Sequence, residues 1–220
     1  MVMDVLEAIK TRRSIRKYLD IPVEWDKVGT LIEAGKSAPS AGNIQNWKFI
    51  IVTDTEKRKK IADACLQQYW MVDAPIHIVV VAEPEPAAQH YGVRGERLYT
   101  IQNCAAAIQN MLLAAHSLGL GACWVGAFEE DMLNRTLGCT ERARPQAIIT
   151  VGYAAEKPPE PSEYTLENVT YMNKWKTGCT VIKDMDIVMG YYSSKVEKGI
   201  EKGKEMLKRA KEKAGKVIEK

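Results

Sequence analysis

The sequence predicts an α+β fold in which helices pack around a mainly antiparallel sheet, with one long helix buried at the centre. Three observations carry this expectation. Strand-length apolar runs alternate with stretches of helical spacing, but the order never settles into a regular βαβ rhythm. The run Ile76 to Ala82 is apolar almost throughout, as a strand covered on both faces requires. The stretch Asn103-Cys104-Ala105-Ala106-Ala107-Ile108-Gln109-Asn110-Met111-Leu112-Leu113-Ala114-Ala115 is apolar on most faces, so its helix should be buried nearly all round.

The elements follow in order. Asp4 to Lys10 reads as a short helix leading into an arginine cluster. Pro22, then Trp25, Val28, Leu31, Ile32 and Gly35 at helical spacing, open a second helix that closes near Ser37. Trp47 to Thr53 reads as a strand, Thr55 to Gln68 as an amphipathic helix, and Ala74 to Ala82 as a fully buried strand. Glu83 to Gly95 holds Pro84, Pro86 and Gly92 and is expected to be a loop long enough to act as a lid, with Tyr91 and Arg94 facing the acceptor. The longest helix is expected from about Glu96 to Leu118, stopped by Gly119 and Gly121. Ala122 to Val125 continues extended, Glu129 to Leu137 is helical, and Gln146 to Tyr153 is a further strand.

A chain of 220 residues with 46% hydrophobic content can bury one core, so a single domain over 1–175 with an extension over 176–220 is expected. The net charge of +3 is unevenly placed. From Lys195 to Lys220 ten Lys or Arg face five Glu, a balance of +5, which leaves −2 for everything before it. The body is therefore not a basic nucleic-acid binder, and any anion must be held by local clustering. The most apolar run is far shorter than the roughly 20 residues of a membrane span, and the N-terminus lacks the apolar stretch of a signal peptide. A cytoplasmic protein is expected. Cys65, Cys104, Cys123, Cys139 and Cys179 are odd in number and form no C-x-x-C pair, so reduced buried thiols are expected rather than disulfides or zinc. His77, His90 and His116 show no ligand spacing, and His77 and His116 read as structural.

The tail carries small or apolar residues at Val196, Ile200, Gly203, Leu207, Ala210, Ala214 and Val217, a weak heptad seam in a Lys/Glu-rich helix. Gly119-Leu120-Gly121-Ala122-Cys123-Trp124-Val125-Gly126 imitates a dinucleotide fingerprint, yet it follows a helix and its third glycine is displaced. Its glycines are expected to cap a helix and to let backbone lie against something flat.

Two stretches carry the chemistry. Arg12-Arg13-Ser14-Ile15-Arg16-Lys17-Tyr18 gathers guanidinium forks and a hydroxyl, which suit a phosphate. Ser37-Ala38-Pro39-Ser40-Ala41-Gly42-Asn43-Ile44-Gln45-Asn46-Trp47 supplies small residues that let a planar ligand approach backbone. Together with Leu118-Gly119-Leu120-Gly121 and Cys123-Trp124-Val125-Gly126-Ala127-Phe128, in this order and at these separations, they resemble the nitroreductase superfamily of FMN-dependent oxidoreductases over residues 4 to about 175.

The resemblance implies a homodimer with FMN at the subunit interface, NAD(P)H as electron donor and a small-molecule acceptor such as a nitroaromatic or quinone, in ping-pong order. It implies that Arg12, Arg13 and Ser14 contact the phosphate and ribityl chain, and that Arg16 lies near flavin N1 and O2, where a cation stabilises the reduced ring. Pro39, Ser40, Ala41, Asn43 and Gln45 would line the ring, supplied by the second subunit. Val125, Gly126 and Ala127 match the turn that points an N–H at flavin N5, and Gln68, with Gln67 beside it, is a candidate for a second contact at the pyrimidine edge. No obligate catalytic side chain and no metal are implied, because the cofactor performs the chemistry. Asn46 stands where many relatives carry Pro. Glu160 to Tyr164 offers acids where many carry a basic phosphate contact, which Lys157 could replace. The same scaffold also supports reductive dehalogenation and flavin fragmentation, and a flavin carrier or redox sensor remains an alternative.

Overall fold

A computed structural model describes residues 3–171, 174–175, 196–206 and 208. The chain divides into two units, Met1–Pro159 and Glu160–Lys220. The first contains α1 (Val5–Thr11), α2 (Trp25–Lys36), β1 (Trp47–Val52), α3 (Thr55–Ala64), β2 (Ile76–Ala82), α4 (Glu85–Arg94), α5 (Thr100–Ser117), β3 (Gly121–Val125), α6 (Glu130–Leu137) and β4 (Arg144–Gly152).

The four strands form one sheet in the order β1-β2-β4-β3, every neighbouring pair antiparallel. Alternation between two buried faces explains why β2 is apolar at every position but His77. Ile76, Ile78, Val80 and Ala82 face a core built with Val28 and Leu31 of α2 and Cys104, Ile108 and Met111 of α5. Val79 and Val81 face the opposite core, with Ile61 of α3 and Leu133 of α6. Helices therefore cover both faces of a central sheet. Every β2 residue is buried, and a large-to-small change at Ile78 or Ile149 should cost about 2–5 kcal/mol.

Local chemistry sets the ends of the helices. The Asp4 carboxylate accepts the Leu6 N–H at 2.9 Å and starts α1, and Asp54 accepts the Lys57 N–H at 2.8 Å and starts α3. Gly119, at φ +74°, follows the last turn of α5 as a left-handed cap.

Four expectations are corrected. Glu83 to Gly95 is not a loop but mostly helix α4, because Pro84 at the N-cap and Pro86 in the first turn sit where a missing N–H is harmless. The long helix begins at Thr100 rather than Glu96, since Gly92 breaks the α4 path at φ 58°, ψ −148° and Gly95–Tyr99 forms a π-turn. The helix expected from Thr55 to Gln68 stops at Ala64, because Leu66 and Gln67 turn to φ 58° and 60°. Finally, within the stretch Asn103 to Ala115, expected to be buried nearly all round, Gln109 is exposed and Ala105, Ala106, Asn110, Leu113 and Ala114 are half-buried. The glycine-rich segment also divides its roles. Gly121 is needed by Ile15, whose side chain lies 2.9 Å from where a Cβ would stand, rather than by a flat ligand.

Among the described residues no helix is long and apolar enough to cross a membrane. In the second unit Leu166–Val169 forms α7 and residues 196–206 are helical, with Val196 and Ile200 exposed. The rest of the expected seam, at Leu207, Ala210, Ala214 and Val217, lies outside the described residues, as does Cys179.

His77 is fully buried in β2, where its Nε2–H donates to the Met71 carbonyl at 2.8 Å and its Nδ1 has no partner. Burial pushes its pKa down to about 4, and the Met71 bond opposes only part of that. The unfolded chain takes up this proton below about pH 6.5, so the stability is complete above that pH and lost as pH falls toward 4. Urea midpoints should show about 2 kcal/mol lost at pH 5 relative to pH 7.5, and this loss should shrink in His77→Gln. Equal losses in the two proteins would assign the acid sensitivity to other groups.

Candidate functional site

The arginine segment runs along the outer edge of β3. Ser14 pairs with Ala122 in a parallel bridge, and the Ile15 N–H donates to the Ala122 carbonyl at 3.1 Å. Tyr18 anchors the segment from below, its hydroxyl 2.5 Å from the Ile15 carbonyl and 2.7 Å from Thr150 Oγ1. The Glu156 carboxylate accepts the N–H groups of Arg16 at 2.6 Å and Lys17 at 3.1 Å. Backbone is thereby fixed on both sides, which leaves the side chains free to project.

Arg12 and Arg16, with Ser14, surround Cys123. Burial raises the Cys123 thiol pKa, while Arg16, the Ser14 hydroxyl and Arg12 pull it down. Arg16 lies over the Trp70 ring, 5.8 Å from its centre. Arg13 turns away and donates to the carbonyls of Lys10 at 2.8 Å and Arg12 at 2.9 Å, closing the end of α1. Among the described residues none of these three guanidinium groups has a carboxylate ion pair. Arg12 is half-buried and Arg16 exposed, and the Glu156 carboxylate sits on the backbone N–H groups of the same segment.

The end of β3 completes this half. Val125 is buried, whereas Gly126 and Ala127 are exposed, and among the described residues a Cβ on Gly126 would meet the Trp124 ring alone, at Nε1 (3.4 Å) and Cδ1 (3.8 Å). The Glu129 N–H donates to the Ala64 carbonyl at 2.8 Å, pinning the turn to the end of α3. Gln68 follows on that side and donates to the Cys65 carbonyl at 3.0 Å. The structure thus brings Arg12, Ser14, Arg16, Gln68, Val125, Gly126 and Ala127 to one edge.

Pro39, Ser40, Ala41, Asn43 and Gln45 lie elsewhere, in the turn before β1. This turn closes on itself, with the Asn43 N–H donating to the Ser40 carbonyl at 3.0 Å, the Gln45 N–H to Ser40 Oγ at 3.1 Å, and Gln45 Nε2 to Asn43 Oδ1 at 3.0 Å. Gly42 sits at φ +58°, and a Cβ there would lie 2.5 Å from the Tyr91 hydroxyl of α4. The two groups lie on opposite edges of the sheet, three strand spacings or about 14 Å apart. Along the strands Ser14, bridged to Ala122, is level with Ile76 at the end of β2 away from the turn, whereas Val125 is level with Ile148, Val79 and Ile50, about 10 Å from Trp47.

Backbone strain marks both places. Four non-glycine residues among those described have positive φ, namely Asn43 (56°), Gln45 (50°), Leu66 (58°) and Gln67 (60°). Two fall in the turn before β1 and two in the bend beside Gln68. Such conformations cost of order 1 kcal/mol or more each and gather at ligand sites. Neither the cavity of about 210 Å³ that includes Glu96, Glu130 and Arg144 nor that of about 340 Å³ that includes Tyr18, Arg58 and Asp73 contains a predicted site residue.

The described thiols are buried or, at Cys139, half-buried. Burial pushes Cys65 and Cys104 up to about 12, and among the described residues no three His, Cys, Asp or Glu side chains gather at metal-holding distance. Trp70 and Glu156 are not singled out by the sequence, because nothing local to either reveals its distant partner, whereas Tyr91, expected in a lid, lies against Gly42.

The nitroreductase family model matches residues 9–70 and 65–153. A protein of Methanothermobacter thermautotrophicus with the provisional name NADH dehydrogenase/NAD(P)H nitroreductase is 37% identical over 177 residues, which cover 79% of this chain and 88% of that protein. An FMN reductase [NAD(P)H] of Bacillus subtilis is 29% identical over 188 residues, covering 78% and 76%. Among solved structures, an FMN-dependent nitroreductase of Clostridium difficile R20291 superposes with a TM-score of 0.67 at 26% identity, over 77% of this chain and 99% of that one. Matched along most of its first unit by sequence and by fold, this chain belongs to the nitroreductase family.

Proposed function

We propose that this protein is an FMN-dependent NAD(P)H oxidoreductase that works as a homodimer, each flavin gripped by the arginine edge of one chain and the small-residue turn of the other. The observation that carries this reading is the separation of two strained, backbone-open groups to opposite edges of one sheet, the arginine segment along β3 and the small-residue turn before β1. The residues fit the cofactor. Unpaired guanidinium groups suit a phosphate, and exposed Gly126 leaves room for a ring against backbone. The relatives named as FMN reductases and NAD(P)H nitroreductases support the same assignment.

Bound there, FMN would supply the redox chemistry, hydride transfer through N5 from NAD(P)H to a nitroaromatic, quinone or similar acceptor in ping-pong order. Arg12 and Ser14 hold the phosphate end through charge-assisted hydrogen bonds, with Arg13 stabilising the α1 end behind them. Arg16, steadied over Trp70, places a fixed positive charge where reduction adds negative charge, which stabilises the reduced ring and raises its potential. The turn Val125-Gly126-Ala127 would present a backbone N–H to flavin N5, and Gln68 would stand at the pyrimidine edge. Pro39, Ser40, Ala41, Asn43 and Gln45 of the facing chain cover the ring and exclude water from it. Apolar side chains exposed on one chain, Val5, Leu6 and Ile9 of α1 and Ile101 of α5, are suited to burial between two copies.

The test is an absorption spectrum of the purified protein, followed by NADH and NADPH oxidation with a quinone or nitroaromatic. One flavin per chain with steady turnover is expected. Bound flavin without turnover would favour a carrier or redox sensor, and a protein that takes up no flavin would end the proposal.

A further inference from the structure

Beneath the turn before β1 lies a closed polar network in an apolar core. Asn103 of α5 accepts the Ala41 N–H on Oδ1 at 2.9 Å and donates through Nδ2 to Asn46 Oδ1 at 2.8 Å. Asn46 in turn donates to the Glu83 carbonyl at 3.1 Å and to Thr100 Oγ1 at 3.0 Å, and its own carbonyl accepts the Glu83 N–H at 2.8 Å. Thr100 Oγ1 passes its proton to the Gly95 carbonyl at 2.9 Å. Asn46, Thr100 and Asn103 are only 2%, 2% and 4% exposed, yet every side-chain nitrogen and oxygen among them is used.

A buried set of amides with every bond made is strongly directional, because moving one member leaves a donor or acceptor unpaired at a cost of about 1–3 kcal/mol. What this set holds is specific. Ala41 is the first residue of the left-handed turn formed by Gly42 and Asn43, and its N–H is fixed by no other group. The far end of the network ties that turn to the end of β2 at Glu83 and to the π-turn at Gly95, and so to α4, whose Tyr91 lies against Gly42. Packing alone would need no amide here.

We propose that Asn103 and Asn46 are positioning residues for the cofactor, setting the small-residue turn at the height and tilt at which it covers the flavin ring of the facing chain. This rests on the proposed flavin site. It predicts that the acceptor at position 103, rather than the volume there, decides flavin affinity. Asn103→Asp keeps an oxygen for the Ala41 N–H, whereas Asn103→Leu keeps the volume and removes the oxygen.

Apo-protein of each variant would be titrated with FMN and with riboflavin, well below its melting temperature and with circular dichroism confirming the fold. Both variants should melt lower than wild type, since both break the bond to Asn46. Flavin binding should weaken about tenfold or more in Asn103→Leu and stay within about threefold in Asn103→Asp. The loss should be equal for FMN and riboflavin, because the turn faces the ring and not the phosphate. Equal affinities in all three folded proteins would overturn the positioning role, as would equal losses in both variants or a loss confined to FMN. A wild-type protein that binds neither flavin would overturn the flavin reading together with this one.

Discussion

Replacing Arg12 and Arg16 together by Ala should strip the flavin from the protein while leaving its fold intact. Charge-assisted hydrogen bonds contribute about 1.5–3 kcal/mol each, so removing two cations should weaken FMN binding at least a hundredfold or so. The fold should tolerate the change. Neither side chain has an ion pair among the described residues, and Arg16 rests on Trp70 at a contact worth about 0.5–1 kcal/mol. The purified variant should be colourless after dialysis, melt within a few degrees of the wild-type apo-protein, and lose more affinity for FMN than for riboflavin. Full flavin occupancy in this variant would show that the arginine edge is not the phosphate site.

Gly95→Ala should be the most damaging small change in the first unit. A Cβ there would stand 2.0 Å from the Ala87 carbonyl oxygen, 2.6 Å from its carbon and 2.9 Å from Tyr91 Cβ. Two of these obstacles are main chain and cannot rotate aside, so α4 and the π-turn would have to separate. Overpacking of this kind costs about 3 kcal/mol or more, which in a chain of this size lowers the melting temperature by roughly 6–12 °C. Because Tyr91 also touches Gly42, flavin affinity should fall as well. A melting temperature unchanged by this substitution would mean that the α4–α5 corner is looser than its geometry indicates.

Much of this architecture was legible in the sequence because it depends on periodicity. Ile76 to Ala82 could only be a strand covered on both faces, and the alanine-rich stretch from Asn103 to Ala115 could only be a packed helix. The errors arose where local and tertiary preferences compete. Pro84 and Pro86 read as loop residues, yet at a helix N-terminus their missing N–H groups are harmless. Leu66 and Gln67 carry no sign that they must turn left-handed, because no local preference favours it. Asn46 was visible only as a departure from Pro. Its role depends on Asn103, fifty-seven positions away, and on Thr100 and Glu83, contacts that only the fold assembles. The candidate site was legible as two motifs but not as two places. That they stand at opposite edges follows from the strand order β1-β2-β4-β3, which spacing along a chain does not encode.

The most direct measurement mixes two damaged chains. One carries Arg12→Ala with Arg16→Ala, and the other carries Gly42→Val, which forces a β-branched residue into a left-handed turn against Tyr91. Each variant alone should form a dimer that binds almost no FMN. Purified mixed dimers, with a different tag on each chain, should recover one FMN per dimer, since one of their two sites then joins an intact arginine edge to an intact turn. Mixed dimers as empty as their parents would place both halves of each site in a single chain and contradict the account.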